Sequence, residues 1–261
     1  PAFAAEVLTL PGEATLAEEM AVVDPDALHA ARNALRLFLA EQLQDTLLDG
    51  YESLADAGPY QATPAAAGRR ALRNVFLGYL GELATPAMHT LAMRQFASTD
   101  NMNDQFAALA VLAQHDCEQR EQALAAFHER WHGEALVVDK WLAVQASSRL
   151  PDTLAVVANL LAHPSFDLHN PNKVYALLNG FGSNHVRFHA ADGAGYRFLA
   201  AQIAAIDRFN PQVAARLTRR FDRWRRFDAQ RQAHARSALG GLQANADLSP
   251  DVREVVNRAL A

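Results

Sequence analysis

The sequence has 261 residues, half of them hydrophobic, and carries a formal net charge of −5. Such a chain can bury a large core, and its mild negative charge argues against a general nucleic-acid binder, which would be basic. Its apolar runs are short and interrupted by charged or amide residues, which argues against a segment that spans a bilayer. The single cysteine, Cys117, excludes a disulfide within the chain and favours a reducing compartment such as the cytoplasm.

Proline marks helix starts along this chain. At six positions a proline follows a residue whose side chain can accept a hydrogen bond from the first turn of a helix, and proline is itself favoured at the first helical position. The six pairs are Asp24-Pro25, Thr63-Pro64, Thr85-Pro86, Asn170-Pro171, Asn210-Pro211 and Ser249-Pro250. Each pair predicts a helix that begins at its proline.

Apolar residues at helical spacing fill the intervals between these starts. After Asn210-Pro211, one apolar stripe is formed by Val213, Leu217, Phe221 and Trp224. Further helices are predicted at Gln105–Gln114, Gln119–Trp131, Leu136–Ala146, Thr153–Ala162, Tyr196–Phe209 and Gln230–Leu239. Alternation of period two is almost absent, and Phe3–Leu10 is the one segment expected to begin as extended chain. The loosest stretches are predicted at Ala57–Thr63 and Gly180–Gly195.

These helices, about a dozen joined by short loops, favour an all-α fold. Because helix starts recur every twenty or so residues, we expect stacked antiparallel helix pairs that form an armadillo/HEAT-like superhelix. No low-complexity linker divides the chain, so a single domain is predicted over residues 1–261. A compact, irregular helical globule is the alternative architecture.

The five residues from His128 to His132 spell H-E-x-x-H, the zincin signature, in which two histidines bind zinc and the glutamate acts as general base. The continuation that such enzymes need is missing, because Pro151 stands nineteen residues after the second histidine, where the third ligand is expected. Gly133 is also predicted to end the helix at once. We therefore interpret His128, Glu129 and His132 as a chance match and predict no metal site here.

The strongest charge feature is the run from Arg216 to Arg236, which contains eight arginines. These arginines could bind an acidic partner or phosphates. They could instead form the polar face of two amphipathic helices, or a contact within a larger protein, and we favour this second interpretation. His185 and His189 lie one helical turn apart without a glutamate or cysteine at ligand spacing, so a surface or capping role is predicted for them.

Several long sequence blocks resemble a known family. They are Leu8–Glu13, Leu136–Ala146, Asn170–Tyr175, Arg187–Leu199, Asn210–Leu217 and Arg223–Gln232. Together they look like the end of bacterial aminopeptidase N, a gluzincin-type zinc alanyl aminopeptidase. The resemblance runs from near residue 1 to the last residue, and it is more specific than any five-residue motif.

The resemblance implies that these residues are the C-terminal helical domain of a longer chain and are not an enzyme by themselves. The parent would be a cytoplasmic zinc metalloaminopeptidase that removes N-terminal amino acids from peptides. Its zinc would lie in an upstream catalytic domain, and this domain would close over that partner and gate peptide access. No cofactor, nucleic acid or membrane is expected for these residues. The alternatives are an independent helical-repeat adaptor for proteins or nucleic acid, and a self-sufficient zinc hydrolase that uses His128 and His132.

Three polar residues are candidates for the substrate channel of such a domain. A stack of helix pairs presents one concave face, on which polar groups could hold the C-terminal side of a peptide. Arg216 is the main candidate because a guanidinium suits a carboxylate, and Asn172 and Tyr175 are candidates beside it. A purely structural role for all three is the alternative.

Overall fold

The computed structural model describes residues 1–56 and 58–261, and it is built almost entirely from helices. The prediction of an all-α fold is confirmed, because 72% of the chain is helical and no strand occurs among the described residues. The helices are α1 (Ala2–Leu8), α2 (Glu13–Glu18), α3 (Pro25–Gln42), α4 (Gln44–Ser53), α5 (Pro64–Gly81), α6 (Pro86–Ser98), α7 (Met102–Leu112), α8 (Glu118–Trp131), α9 (Ala135–Ala146), α10 (Thr153–Leu160), α11 (Pro171–Val174), α12 (Gly180–Gly182), α13 (His185–Phe188), α14 (Ala194–Asp207), α15 (Pro211–Thr218), α16 (Ala229–Gln243) and α17 (Pro250–Leu260).

The six helix starts predicted at proline are confirmed, at the first residues of α3, α5, α6, α11, α15 and α17. In each case the residue before the proline accepts a hydrogen bond from a backbone N–H two or three residues further on. Thr63 Oγ1 accepts from the amide of Ala66 at 3.2 Å, and Ser249 Oγ accepts from the amide of Val252 at 3.3 Å. Each such cap contributes about 1 kcal/mol to the stability of its helix.

One expectation about local structure was wrong, and a second was confirmed with a change of helix type along its length. Phe3–Leu10 does not begin extended, because its alanine, leucine and glutamate residues are strong helix formers and build α1 around the buried Ala5. The stripe from Val213 to Trp224 is buried, but α15 ends at Thr218 and the chain continues as two turns of 3₁₀ helix, at Arg219–Phe221 and Trp224–Arg226.

The stretches expected to be loose have different outcomes. Gly180–Gly195 contains the short helices α12 and α13, and it contributes the fully buried rings of Phe181 and Phe188 to the core. Ala57, the first residue of the stretch Ala57–Thr63, lies outside the described residues. The remainder of that stretch, residues 58–63, contains no helix.

The described chain divides into two compact units, and the first comprises Pro1–Gly12 and Ala30–Arg130. Within it α5 packs against α1, α4, α6 and α7, and α6 packs against α7. A buried polar network ties these helices together, because Tyr51 donates to Gln95 and Gln95 donates to Asn74, at 2.9 and 2.8 Å. That a single domain covers residues 1–261 stays a prediction.

The second unit comprises Glu13–His29 and Trp131–Ala261. Here α14 packs against α15 and α16, and α17 packs against α15 and α16. Four aromatic rings form the centre of its core, since the ring of Phe188 contacts those of Phe181, Tyr196 and Phe221 with centroid distances of 5.2–6.1 Å. The segment that begins with α2 joins this unit through an isolated bridge, in which the amide of Val23 donates to the carbonyl of Arg226 at 2.7 Å.

Candidate functional site

A π-helical turn lies in the middle of the helical stretch from Pro171 to Gly182. The turn comprises Tyr175–Asn179, between α11 and α12, and such turns occur frequently at functional sites. The ring centroid of Tyr175 lies 5.5 Å from Cζ of Arg216, and Asn179 Oδ1 accepts a hydrogen bond of 2.7 Å from Nε of Arg220. The turn therefore holds two arginines that are themselves four residues apart.

These two arginines line a pocket of about 760 Å³ in the second unit. Its apolar wall includes Ala17, Val23 and Phe227. Among the described residues, its charged and titratable wall consists of five arginines, two histidines and one carboxylate: Arg216, Arg219, Arg220, Arg223, Arg226, His185, His189 and Asp222. The pocket is therefore strongly electropositive and large enough to hold a small organic ligand.

Two arginines of the pocket are neutralised by acidic side chains. Arg219 Nε lies 3.3 Å from a carboxylate oxygen of Asp222, and Arg223 Nη1 lies 2.6 Å from a carboxylate oxygen of Glu18. A third arginine, Arg226, donates to the backbone carbonyl of Met20 at 2.6 Å. These contacts anchor the three arginines in the wall.

Arg216 and Arg220 differ from their neighbours. In the described part of the chain no carboxylate lies within ion-pair distance of either guanidinium, whose recorded contacts are the ring of Tyr175 and the amide oxygen of Asn179. Arg220 is half-buried, and this burial lowers its pKa from the usual value. Two positive charges thus stand at the pocket without a protein counter-charge.

Burial favours the neutral form of the two histidines in the pocket. Burial lowers the pKa of His185, although the nearby Glu13 opposes this effect, and burial lowers the pKa of His189 well below the usual value. His189 Nδ1 lies 2.9 Å from the hydroxyl of Tyr196, and its ring packs against Phe227 at a centroid distance of 4.0 Å. Of the predicted surface or capping role, the surface part is wrong for His189, because the aromatic core buries it, whereas the residue does stand at the C-cap position of α13.

The three substrate-channel candidates differ in their surroundings. The structure brings Arg216 and Tyr175 together. It places Asn172 on the exposed first turn of α11, where the backbone N–H of Asn172 donates to Asn170 Oδ1 at 3.0 Å. Sequence reasoning did not single out Asn179, and it included Arg220 only as one of the eight arginines between Arg216 and Arg236. Their spacing was the available signal, because each lies four residues after a candidate, on the same side of its segment.

The H-E-x-x-H segment lies at the end of α8. The helix ends at Trp131, so His128 is half-buried on its last turn, whereas His132 is exposed in the turn that follows. Among the described residues, no three His, Cys, Asp or Glu side chains form a group that could hold a metal ion. Throughout residues 1–56 and 58–261, every helix is too short or too polar to cross a lipid bilayer.

Residues 1–261 match a family model described as a domain of unknown function (DUF3458_C) with ARM repeats, and the chain belongs to this family of helical-repeat domains. The match confirms the predicted armadillo-type fold class. The chain is also similar in sequence to three curated proteins named aminopeptidase N. The chain is 40% identical to that of Escherichia coli K12 over 264 residues, 41% to that of Caulobacter vibrioides over 263 residues and 37% to that of Haemophilus influenzae over 255 residues.

These alignments cover 97–100% of the chain but only 29–30% of each relative, and they lie in the C-terminal part of the relatives. The chain thus spans about 30% of the length of the curated relatives it matches. A solved structure of Legionella pneumophila aminopeptidase A in complex with aspartic acid is also similar, with a TM-score of 0.90 and 32% identity over 98% of this chain and 31% of that one. The resemblance to aminopeptidase N is therefore confirmed.

Proposed function

We propose that this chain is the non-catalytic C-terminal domain of a zinc aminopeptidase of the aminopeptidase N type. In this proposal it closes over an upstream catalytic domain of the same polypeptide and gates the access of peptides, from which the parent removes N-terminal amino acids in the cytoplasm. The observation that carries the proposal is the alignment of the whole chain with the C-terminal 30% of relatives that bear this name.

Zinc chemistry is assigned to the upstream domain and not to these residues. The fit of a zinc ion to the H-E-x-x-H segment is poor, because α8 ends between the two histidines and Pro151 offers no ligand where a third is expected. Purified chain incubated with zinc should therefore not hydrolyse alanine p-nitroanilide. Stoichiometric zinc together with hydrolysis, both lost in His128→Ala, would overturn the assignment and support the self-sufficient hydrolase.

Arg216 is proposed to contact the C-terminal carboxylate of a peptide substrate. Arg216 is exposed, and among the described residues its guanidinium has no carboxylate partner. The guanidinium packs over the ring of Tyr175, which restricts its position. These features suit a group that binds an anionic ligand. Asn172, exposed three residues before Tyr175, is proposed as a further polar contact along the same path.

The peptide contact is tested in the full-length enzyme with a tripeptide, its C-terminal amide and an aminoacyl anilide. Arg216→Gln should raise KM for the free-acid tripeptide about tenfold, because a charge-assisted contact is lost, and should leave kcat unchanged. The amide and the anilide should be unaffected. The exposed Arg236→Gln is the matched control, since it removes the same charge away from the pocket. Equal effects of Arg216→Gln on acid and amide would refute the contact.

A further inference from the structure

The electropositive pocket has features that a peptide carboxylate alone does not explain. A terminal carboxylate carries one negative charge, whereas two guanidiniums, those of Arg216 and Arg220, line the pocket without an acidic partner in the described structure. Arg220 is also partly desolvated, and desolvation of a charge is unfavourable unless an opposite charge compensates it. The described residues provide no such compensation for this cation.

We propose that this pocket is a binding site for a dianionic phosphate group, of inorganic phosphate or of a phosphate monoester, held between Arg216 and Arg220. A dianion matches two uncompensated cations in charge, and guanidinium forks match phosphate oxygens in geometry. The inference goes beyond the proposed peptide gating, because it concerns a ligand that this chain binds without the catalytic domain.

The two guanidiniums are positioned before any ligand arrives. The π turn fixes both, one through the ring of Tyr175 and one through Asn179 Oδ1. Gly182 completes this support, because a Cβ at that position would lie 2.9 Å from Cγ of Arg220 and would displace the side chain. Arginines held in this way lose little side-chain freedom on binding, which favours affinity.

His185 supplies a neutral donor to the same pocket. Its Nδ1 is buried and has no hydrogen-bond partner within the described structure, so we assign the proton of the neutral ring to Nε2, on the other edge of the imidazole. His185 is a lining residue of the pocket, so the proposal includes this N–H as a donor to a phosphate oxygen. The volume of about 760 Å³ leaves room for an organic group beyond the phosphate.

The test is isothermal titration calorimetry of the 261-residue chain at constant ionic strength, with inorganic phosphate, phenyl phosphate and acetate as three separate ligands. Saturable binding of phosphate or phenyl phosphate, with acetate at least tenfold weaker, is the expected result. Tighter binding of phenyl phosphate identifies a monoester site, whereas equal or tighter binding of inorganic phosphate identifies a free-phosphate site. Absence of saturable phosphate binding, or acetate binding as tightly as phosphate, overturns the proposal.

Three substitutions localise the site. Arg220→Gln and Arg216→Gln should each weaken phosphate binding about tenfold or more, as expected for loss of a charged hydrogen-bond donor. Gly182→Ala keeps every charge but moves Arg220, so it should also weaken binding. Arg236→Gln is the control, because it removes the same charge outside the pocket. If it weakened phosphate binding as much as the other substitutions, the titration would measure only general electrostatic attraction, and the proposal would be overturned.

Thermal unfolding in phosphate-free buffer confirms that each variant is folded before titration. Added phosphate should then raise the unfolding temperature of the unsubstituted chain and of Arg236→Gln, but not that of Arg220→Gln. This readout uses no peptidase activity. A chain that does not bind phosphate would therefore leave the peptide-gating proposal intact. Likewise, a KM that does not change in Arg216→Gln would leave the proposed phosphate site intact.

Discussion

Gly195, at the second position of α14, offers a sharp test of how tightly the second unit is packed. A Cβ at this position would lie 2.3 Å from the carbonyl oxygen of Phe188 and 2.9 Å from its Cα. These are backbone atoms, which cannot move away by a change of rotamer. The substitution Gly195→Ala therefore requires α13 and α14 to separate.

Two effects of Gly195→Ala oppose each other, and their sizes decide the outcome. Alanine favours a helix over glycine by about 0.5–1 kcal/mol. The overlap with the backbone of Phe188 costs about 3 kcal/mol, at the upper end of the range for overpacked sites, because no side chain can relax it. The free energy of unfolding should therefore fall by about 2 kcal/mol, which lowers the unfolding temperature by about 4–8 °C.

Tryptophan fluorescence during thermal unfolding is the appropriate assay, since Trp131, Trp141 and Trp224 all belong to the second unit. Gly241→Ala, in α16, is the matched control, because no atom lies within 4 Å of the added Cβ. The control should raise the unfolding temperature by about 2 °C, as the same mutation acts there through helix propensity alone. If the two variants shift in the same direction, the steric argument is refuted.

Three other outcomes test a helix cap, the aromatic centre and a buried imidazole. Thr63→Ala should cost about 1 kcal/mol in urea unfolding followed by circular dichroism, because Ala66 loses its cap, and an unchanged midpoint would contradict this. Phe188→Ala should cost about 3–5 kcal/mol, and a loss under 1 kcal/mol would show that the ring is not a core residue. Burial lowers the pKa of His189, so below pH 6.5 the unfolded chain binds more protons than the folded chain. The free energy of unfolding should therefore fall from pH 6.5 towards pH 5. The substitution His189→Gln should make this dependence on pH less steep.

Local chemistry explains why the helix starts could be read from the sequence. A cap such as Thr63 involves residues three positions apart, so both partners are visible in a short window. The wrong expectation for Phe3–Leu10 also has a local cause, because Phe3 and Val7 lie at the helical spacing of four residues and their neighbours are strong helix formers.

The pocket could be predicted only in part, because its contacts join distant segments. Asn179 and Arg220 are 41 residues apart, and Arg223 meets Glu18 across 205 residues. The abundance of arginine after residue 216 was evident, but which of these arginines have acidic partners depends on the tertiary fold. The π-helical turn also leaves no recognised pattern in the sequence, so Arg216 and Tyr175 were separate candidates and the contact between them was not predicted.

The π-helical turn lets this helix carry one extra residue while the side chains on either side of it keep nearly the same direction. A π turn fits one more residue into a helix than α geometry does, because its hydrogen bonds reach five residues instead of four. Deletion of Ala176 would return the segment to α geometry, in which the three steps from Tyr175 to Asn179 turn about 300°, close to the roughly 330° of the four wider π steps. Loss of one codon, with no change in any charged group, would thus leave the supports of both arginines on the same side of the helix.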